Sequence, residues 1–172
     1  LGNAEAVGWL IGRGAGVDSS TTAAGATPLC IACHQGHVEC VRLLLGVGAS
    51  VDMAMTDGTT PLYVACQEGH VECVRLLLGA GASVDSATTD DGTTPLYMAC
   101  QGGHAESVQL LLGAGASVDL ARTDNGATPL FVACQEGHAE CIRLLLGAGA
   151  SVDLATTDDG TTPLYMACQG GH

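Results

Sequence analysis

Apolar positions along the chain fall into clusters that return at a fixed interval. The segment TPLYVACQEGH, starting at Thr60, recurs as TPLCIACHQGH at Thr27, TPLYMACQGGH at Thr94, TPLFVACQEGH at Thr128 and TPLYMACQGGH at Thr162. The intervals are 33, 34, 34 and 34 residues. A constant period of this size marks a stack of like supersecondary elements and outranks any single-residue clue. Each repeat reads as a short helix, a turn, a longer helix and an extended finger. The Thr of Thr-Pro-Leu is placed to cap the first helix, and Pro sits at its first position, where the missing N–H costs nothing. In the second copy this helix runs from Pro61 to about Gln67 and is closed by Gly69.

The second helix is predicted from about Val71 to Leu78, ending at Gly79. An acidic residue near its start (Glu39, Glu72, Glu106, Glu140) suits the helix dipole. Three of these have Arg three residues on (Arg42, Arg75, Arg143), a weak supporting pair. Leucine triplets at 43–45, 76–78, 110–112 and 144–146 supply the buried stripe. GAGASVD or a near variant follows. A polar stretch then ends in Asp57-Gly58, Asp91-Gly92, Asn125-Gly126 or Asp159-Gly160, dipeptides that favour tight hairpin-like turns.

The pattern resembles the ankyrin repeat family. The family's Gly-x-Thr-Pro-Leu-His-x-Ala, its Gly-His and its Leu-Leu helix ending in Gly-Ala can be followed along essentially the whole chain. The resemblance implies an all-α ankyrin-repeat solenoid of helix-turn-helix elements with β-hairpin-like fingers, slightly curved, its first helices and fingers lining the concave side. It places one array over 1–172. The second half of a repeat lies at 1–18, full repeats at about 24–57, 58–91, 92–125 and 126–159, and the first half of a repeat at 160–172. The chain thus reads as a fragment of a longer array. Its end faces at 1–11 and 163–168 lack polar capping elements and are expected to associate or fray.

Two departures stand out. The His of Thr-Pro-Leu-His is replaced by Cys30, Tyr63, Tyr97, Phe131 and Tyr165, which puts the family's usual His hydrogen bond in doubt. Most fingers also carry one residue more than the usual repeat, which should only enlarge the fingertip, because surface turns absorb an added residue cheaply. A second periodicity of 68 residues overlies the first, and 93–104 is identical to 161–172. The array reads as grown by copying pairs of repeats.

Composition narrows the function. The formal charge is −13, with five Arg and no Lys. That balance argues against nucleic acid and anionic membrane as partners, since both are held mainly by Lys and Arg. No apolar run approaches the roughly 18–20 residues of a membrane span, and no signal sequence opens the chain. Nine cysteines, an odd number placed at repeat positions, fit a reducing compartment. The expectation is a soluble intracellular, cytoplasmic protein.

Cysteine and histidine invite a metal reading, since every repeat offers Cys-x3-His (Cys33/His37, Cys66/His70, Cys100/His104, Cys134/His138, Cys168/His172). Zinc needs four ligands about 2.0–2.3 Å from one point. Helices of adjacent repeats pack roughly 8–10 Å apart, so equivalent side chains cannot converge. No metal is expected. Cys66/Cys73 and Cys134/Cys141 lie on facing helices and could form a redox pair. The plainer reading is a small buried hydrophobe, and Cys30-x-x-Cys33 inside a helix is no stronger. Runs such as Gly79-Ala80-Gly81 lack the Lys-Ser/Thr of a phosphate loop and read as helix C-caps. No asymmetric pocket or unique Ser/His/Asp set suggests an enzyme, and no cofactor is implied.

Two features bear on binding. Tyr63, Tyr97, Phe131 and Tyr165 share one repeat position and form either a packed ladder or an aromatic strip for a partner. Asp52, Asp57, Asp85, Asp90, Asp91, Asp119, Asp124, Asp153, Asp158 and Asp159 crowd the fingers, giving one acidic edge. That edge is either ordinary solvation or a surface for a basic partner. By resemblance, the family binds other proteins through fingertips and the inner face of the first helix. This implicates Thr56, Asp57, Thr59, Tyr63, Gln67 and Glu68 in one repeat, and Asp90, Asp91, Thr93, Tyr97 and Gln101 in the next. The remaining candidates are Asp124, Asn125, Phe131, Gln135 and Glu136, then Asp158, Asp159, Tyr165 and Gln169. The reading is a non-catalytic protein-interaction scaffold for a protein partner, in the sharper form one with a basic surface. Rival readings are a targeting or regulatory segment of a larger enzyme, channel or ubiquitin ligase, a mainly structural array, and a thiol redox sensor.

Overall fold

In every copy of Thr-Pro-Leu the threonine hydroxyl caps the helix that follows. Thr27, Thr60, Thr94 and Thr128 accept from the backbone N–H three residues on at 3.2 Å, and Thr162 does so at 3.3 Å. The computed structural model describes residues 3–20 and 23–171. Leu1, Gly2 and His172, which enter the expectations about the chain ends and the last Cys/His pair, lie outside the described residues. The helices are α1 (Ala4–Gly12), α2 (Pro28–His34), α3 (Val38–Gly46), α4 (Pro61–Gln67), α5 (Val71–Gly79), α6 (Pro95–Gln101), α7 (Ala105–Gly113), α8 (Pro129–Gln135), α9 (Ala139–Gly147) and α10 (Pro163–Gly170). No strand occurs among the described residues. The fingers are hairpin-like turns, not sheet.

Each first helix is closed by a glycine in the left-handed region. Gly69 has φ +70°, and the His70 amide reaches back to the Ala65 carbonyl at 2.9 Å, the six-to-one bond that ends a helix on an αL residue. His138 makes the same bond to Ala133 at 2.9 Å. The turn thereby delivers the chain into the second helix with its last carbonyls satisfied.

Two compact units result, Leu1–Ser83 and Val84–His172. In the first, α2 packs on α3 and α4, α4 on α5, and α3 on α1 and α5. Its core holds Leu29, Cys33, Val41, Leu62, Ala65, Cys66, Cys73, Val74 and Leu77, all sealed from solvent. In the second, α6 packs on α7 and α8, α8 on α9 and α10, and α7 on α9. Leu96, Ala99, Cys100, Val108, Leu111, Ala133 and Leu145 form its core. Full burial of each leucine contributes about 1.5–3 kcal/mol. With aromatics at 3% of the chain, it is these repeated small and branched side chains that hold the stack. The cysteines serve as core hydrophobes: eight of the nine are buried, all are free thiols, and only Cys168 is exposed.

Polar rungs join successive repeats inside each unit. In the first, the Asp18 carboxylate accepts from the Ser50 amide at 3.0 Å and its hydroxyl at 2.6 Å, and Asp52 does the same for Ser83 at 2.9 and 2.6 Å. In the second, Asp85 accepts from the Ser117 amide and hydroxyl at 3.0 and 2.5 Å, and Asp119 from the Ser151 amide at 3.0 Å. These charge-assisted bonds, exposed except at Asp119–Ser151, help fix how far one repeat turns on the next. Histidine adds a second rung. The ring Nε2 of His70 donates to the His34 carbonyl at 3.1 Å, and that of His138 to the Gln101 carbonyl at 3.1 Å. The ring lies so close to the preceding repeat's glycine that a Cβ on Gly36 or Gly103 would sit 2.6 Å from it.

Candidate protein-binding face

The fingers are built from backbone bonds that the sequence makes locally. Met55 N–H donates to Thr59 O at 2.8 Å, and Thr88, Arg122 and Thr156 repeat this bond to Thr93, Ala127 and Thr161. The added residue changes the turn inside that bond. In the short finger Gly58 N–H reaches Met55 O, three residues back; in the longer ones Gly126 reaches Arg122 O and Gly160 reaches Thr156 O, four residues back. The tip is thus wider by one residue while its base is unchanged, in line with the low cost of lengthening a surface turn.

The acid before the tip glycine shapes the turn. Asp57 accepts from Thr59 N–H at 2.9 Å, Asp91 from Thr93 N–H at 3.0 Å, Asn125 from Ala127 N–H at 2.9 Å and Asp159 from Thr161 N–H at 3.0 Å. Asp91 also accepts from the Thr88 and Thr93 hydroxyls at 2.7 and 2.6 Å, and Asp159 from the Thr156 hydroxyl at 2.6 Å. Burial raises the Asp91 carboxyl, but the Thr93 and Thr88 hydrogen bonds and Arg122 outweigh it and hold it below its ordinary range. The hydroxyl of Thr156, followed by the Thr161 hydrogen bonds, lowers Asp159 in the same way. Successive fingers are tied at their tips: Thr56 N–H donates to Ala24 O, Thr123 to Asp91 O and Thr157 to Asn125 O, at 2.8–3.0 Å.

The expected site residues divide sharply by exposure. Thr56, Asp57, Gln67 and Glu68 are exposed in the first unit, with Thr59 buried and Tyr63 half-buried. In the second, Asp90, Gln101, Asp124, Gln135, Glu136, Asp158, Asp159, Tyr165 and Gln169 are exposed, and Asp91 and Asn125 are half-buried. Thr93, Tyr97 and Phe131 are buried, Tyr97 with Arg122 over its ring. The aromatic position is therefore a packed one at Tyr97 and Phe131, while Tyr165 is 60% exposed. Cys30, at the same position, donates to the Met53 carbonyl at 3.8 Å.

The acidic edge is not one uniform surface. Asp52, Asp85 and Asp119 face serines of the next repeat, whereas Asp57, Asp90, Asp158 and Asp159 have no cation within reach among the described residues. Most of the arginines are engaged. Arg42, Arg75 and Arg143 pair with Glu39, Glu72 and Glu140 three residues before them on the solvent side of the second helices, contacts that solvent screening leaves weak. Arg122 turns into the fingers and bridges Asp91 and Asp124 at 2.9 and 2.6 Å. Sequence reasoning missed the Asp–Ser rungs and Arg122. Their signals were the Ser-Val-Asp that recurs at 50–52, 83–85, 117–119 and 151–153, and Arg122 as the single basic residue of the fingers.

Among the described residues no group of three or more His, Cys, Asp or Glu is gathered as a metal would require. Burial pushes the Cys33, Cys66, Cys73, Cys134 and Cys141 thiols up, and charge repulsion from Glu72 and Glu140 adds to this at Cys73 and Cys141. A thiol held protonated is a poor nucleophile. No helix among the described residues is long and apolar enough to cross a membrane.

A family model described as ankyrin repeats in three copies matches residues 1–88, 84–156 and 115–172, which together cover the chain. The chain belongs to the ankyrin repeat family. Among curated proteins none matches it. Ankyrin repeats are generally protein–protein interaction modules and generally non-catalytic. The capped first helices, Gly-His turns and fingers described above are the parts of that architecture, each held by hydrogen bonds in this chain.

Proposed function

We propose that this ankyrin array is a non-catalytic scaffold that binds another protein through its fingertips and the exposed ends of its first helices. The observation that carries the reading is the set of fingertip carboxylates, Asp57, Asp90, Asp158 and Asp159, that no arginine reaches among the described residues. The pairs Gln67-Glu68 and Gln135-Glu136 at the ends of first helices are exposed as well. Exposed acids left unpaired on a preformed turn raise the encounter rate with a cationic partner and discriminate against an acidic one. Amide side chains at Gln67, Gln101, Gln135 and Gln169 add hydrogen-bonding groups at one position per repeat. The partner is a protein with a basic surface, in the cytoplasm, and neither nucleic acid nor a lipid surface suits a chain of net charge −13.

The test compares partners captured by the wild-type chain and by D57K/D90K/D158K/D159K. Loss of the basic proteins from the second set supports the reading, and two indistinguishable sets contradict it. A circular dichroism spectrum unchanged by the substitutions shows that the repeats remain folded.

A further inference from the structure

The finger at 119–128 breaks the pattern of its neighbours at three linked positions. Its neighbours carry Thr88, Asp91 and Thr93, and Thr156, Asp159 and Thr161, sets whose hydroxyls and amides close on one carboxylate oxygen. Here the corresponding residues are Arg122, Asn125 and Ala127. Asn125 keeps the turn by accepting from Ala127 N–H, but no hydroxyl is left to close on it. The residue released from that role, Arg122, reaches across to the preceding finger.

Its guanidinium is held on three sides. Nη2 lies 2.9 Å from Asp91 Oδ2, and Nε and Nη2 donate to the two Asp124 oxygens at 3.0 and 2.6 Å. Cζ stands 5.6 Å from the centroid of the Tyr97 ring. Asp91 still receives Thr88 and Thr93 on its other oxygen, so the carboxylate is fixed before the arginine arrives. A planar fork on one carboxylate, a second carboxylate and an aromatic face are what a guanidinium takes and an ammonium cannot fully use. The Arg122 side chain is 23% exposed, less than half the exposure of the arginines on the second helices.

We propose that Tyr97, Asp91 and Asp124 form an arginine-recognition site that the chain fills with its own Arg122, so that Arg122 sets which fingertips stay open to a basic partner. The gating half of this rests on the reading that a basic partner seats on the fingers. With Arg122 in place, Asp91 and Asp124 are neutralised and a cationic partner is directed to Asp90, Asp158 and Asp159. Without it, the same pocket accepts an arginine from outside. The neutralised site is also a mark of register on an otherwise repetitive surface, since no other finger holds an arginine.

The experiment uses the full 172-residue chain as wild type, R122T and R122A. R122T installs the residue of the neighbouring fingers; R122A cannot close on Asn125 and so leaves the pocket open. N-ethylguanidinium, with ethylammonium as the control cation, is titrated while the Tyr97 ring and the amides of residues 91 and 124 are followed by NMR. Saturable shifts in R122A with N-ethylguanidinium, absent in wild type and lost in R122A/D124N, are expected. Equal shifts in wild type, or equal response to ethylammonium, overturn the recognition site. A nona-arginine peptide then tests the gating, with R122A expected to bind about tenfold more tightly than wild type. Equal binding overturns the gating and leaves the basic-partner reading standing. Binding to neither protein overturns that reading and the gating together, while the N-ethylguanidinium titration still decides the site.

Discussion

Asp85 and Ser117 lie 32 residues apart in the chain, yet the Asp85 carboxylate takes both the amide of Ser117 at 3.0 Å and its hydroxyl at 2.5 Å. The pair is one rung of a ladder that repeats at Asp18–Ser50, Asp52–Ser83 and Asp119–Ser151. Hydrogen bonds to a charged group are worth about 1.5–3 kcal/mol, less where solvent reaches them. D85A is therefore expected to cost about 1–2 kcal/mol in urea unfolding. A double-mutant cycle with S117A should return a coupling near 1 kcal/mol. A coupling indistinguishable from zero would show the rung to be ornamental.

Ser107 occupies the position held by Cys40, Cys73 and Cys141 in the other second helices. It is fully buried, and its hydroxyl has no hydrogen-bond partner. A buried hydroxyl left unmade costs about 1–3 kcal/mol. S107C, which restores the repeat's own small hydrophobe, should raise stability by about 1 kcal/mol. Hydrogen exchange of the α7 amides should slow accordingly. A loss of stability would mean that a partner for the hydroxyl exists.

Gly103 combines φ +69° with the His138 ring 2.6 Å from where its Cβ would be. G103A has to adopt a strained backbone and displace that ring from the Gln101 carbonyl. The expected cost is at least 2 kcal/mol. G113A is the control, because Gly113 has no positive φ and nothing near its Cβ, and it should cost little or gain slightly. Equal effects would remove the His–glycine contact from the account.

Much of the fold could be read from the residues because its signals are local. Thr60, Pro61 and Gly69 lie within one helix length, and each acts on backbone groups next to it. What could not be read depends on neighbours far away in sequence. Residues 93–104 and 161–172 are identical, yet Tyr97 is 5% exposed and Tyr165 60%, Leu96 is sealed and Leu164 is 71% exposed. The difference is packing: α6 lies against α7 and α8, and α10 against α8. The same limit hid the division of the acidic edge. Asp85 and Asp90 look alike in sequence, but only a repeat-to-repeat contact shows that Asp85 is engaged by Ser117. Arg122 was visible as the only basic residue of the fingers, but its three partners come from two fingers and a helix.

The fingers should loosen in acid. The folded Asp91 and Asp159 carboxyls titrate below their ordinary value, so each contributes stability that is complete above the unfolded value of about 3.9. That contribution falls as the pH drops through the lower folded values and is gone beneath them. Amide exchange at Thr93 and Thr161, measured against the Ala127 amide held by neutral Asn125, should accelerate selectively in this window. Equal acceleration at Ala127 would point to general unfolding.

Thiol chemistry gives a direct count. Of nine cysteines only Cys168 is exposed, and burial raises the thiols of Cys33, Cys66, Cys73, Cys134 and Cys141. A thiol reagent at neutral pH should label one cysteine quickly and the remaining eight only after denaturation. Rapid labelling of several would revive a redox role.

The central claim is that a protein partner sits on the fingertips and the exposed ends of the first helices. Hydrogen exchange of the chain, free and bound to a captured partner, tests this most directly. The account predicts slowed exchange at 56–58, 90–92, 124–126 and 158–160 and at the ends of α4, α6 and α8, with the outer faces of α5, α7 and α9 unchanged. Protection confined to those second helices, with the fingertips exchanging as in the free chain, would contradict it.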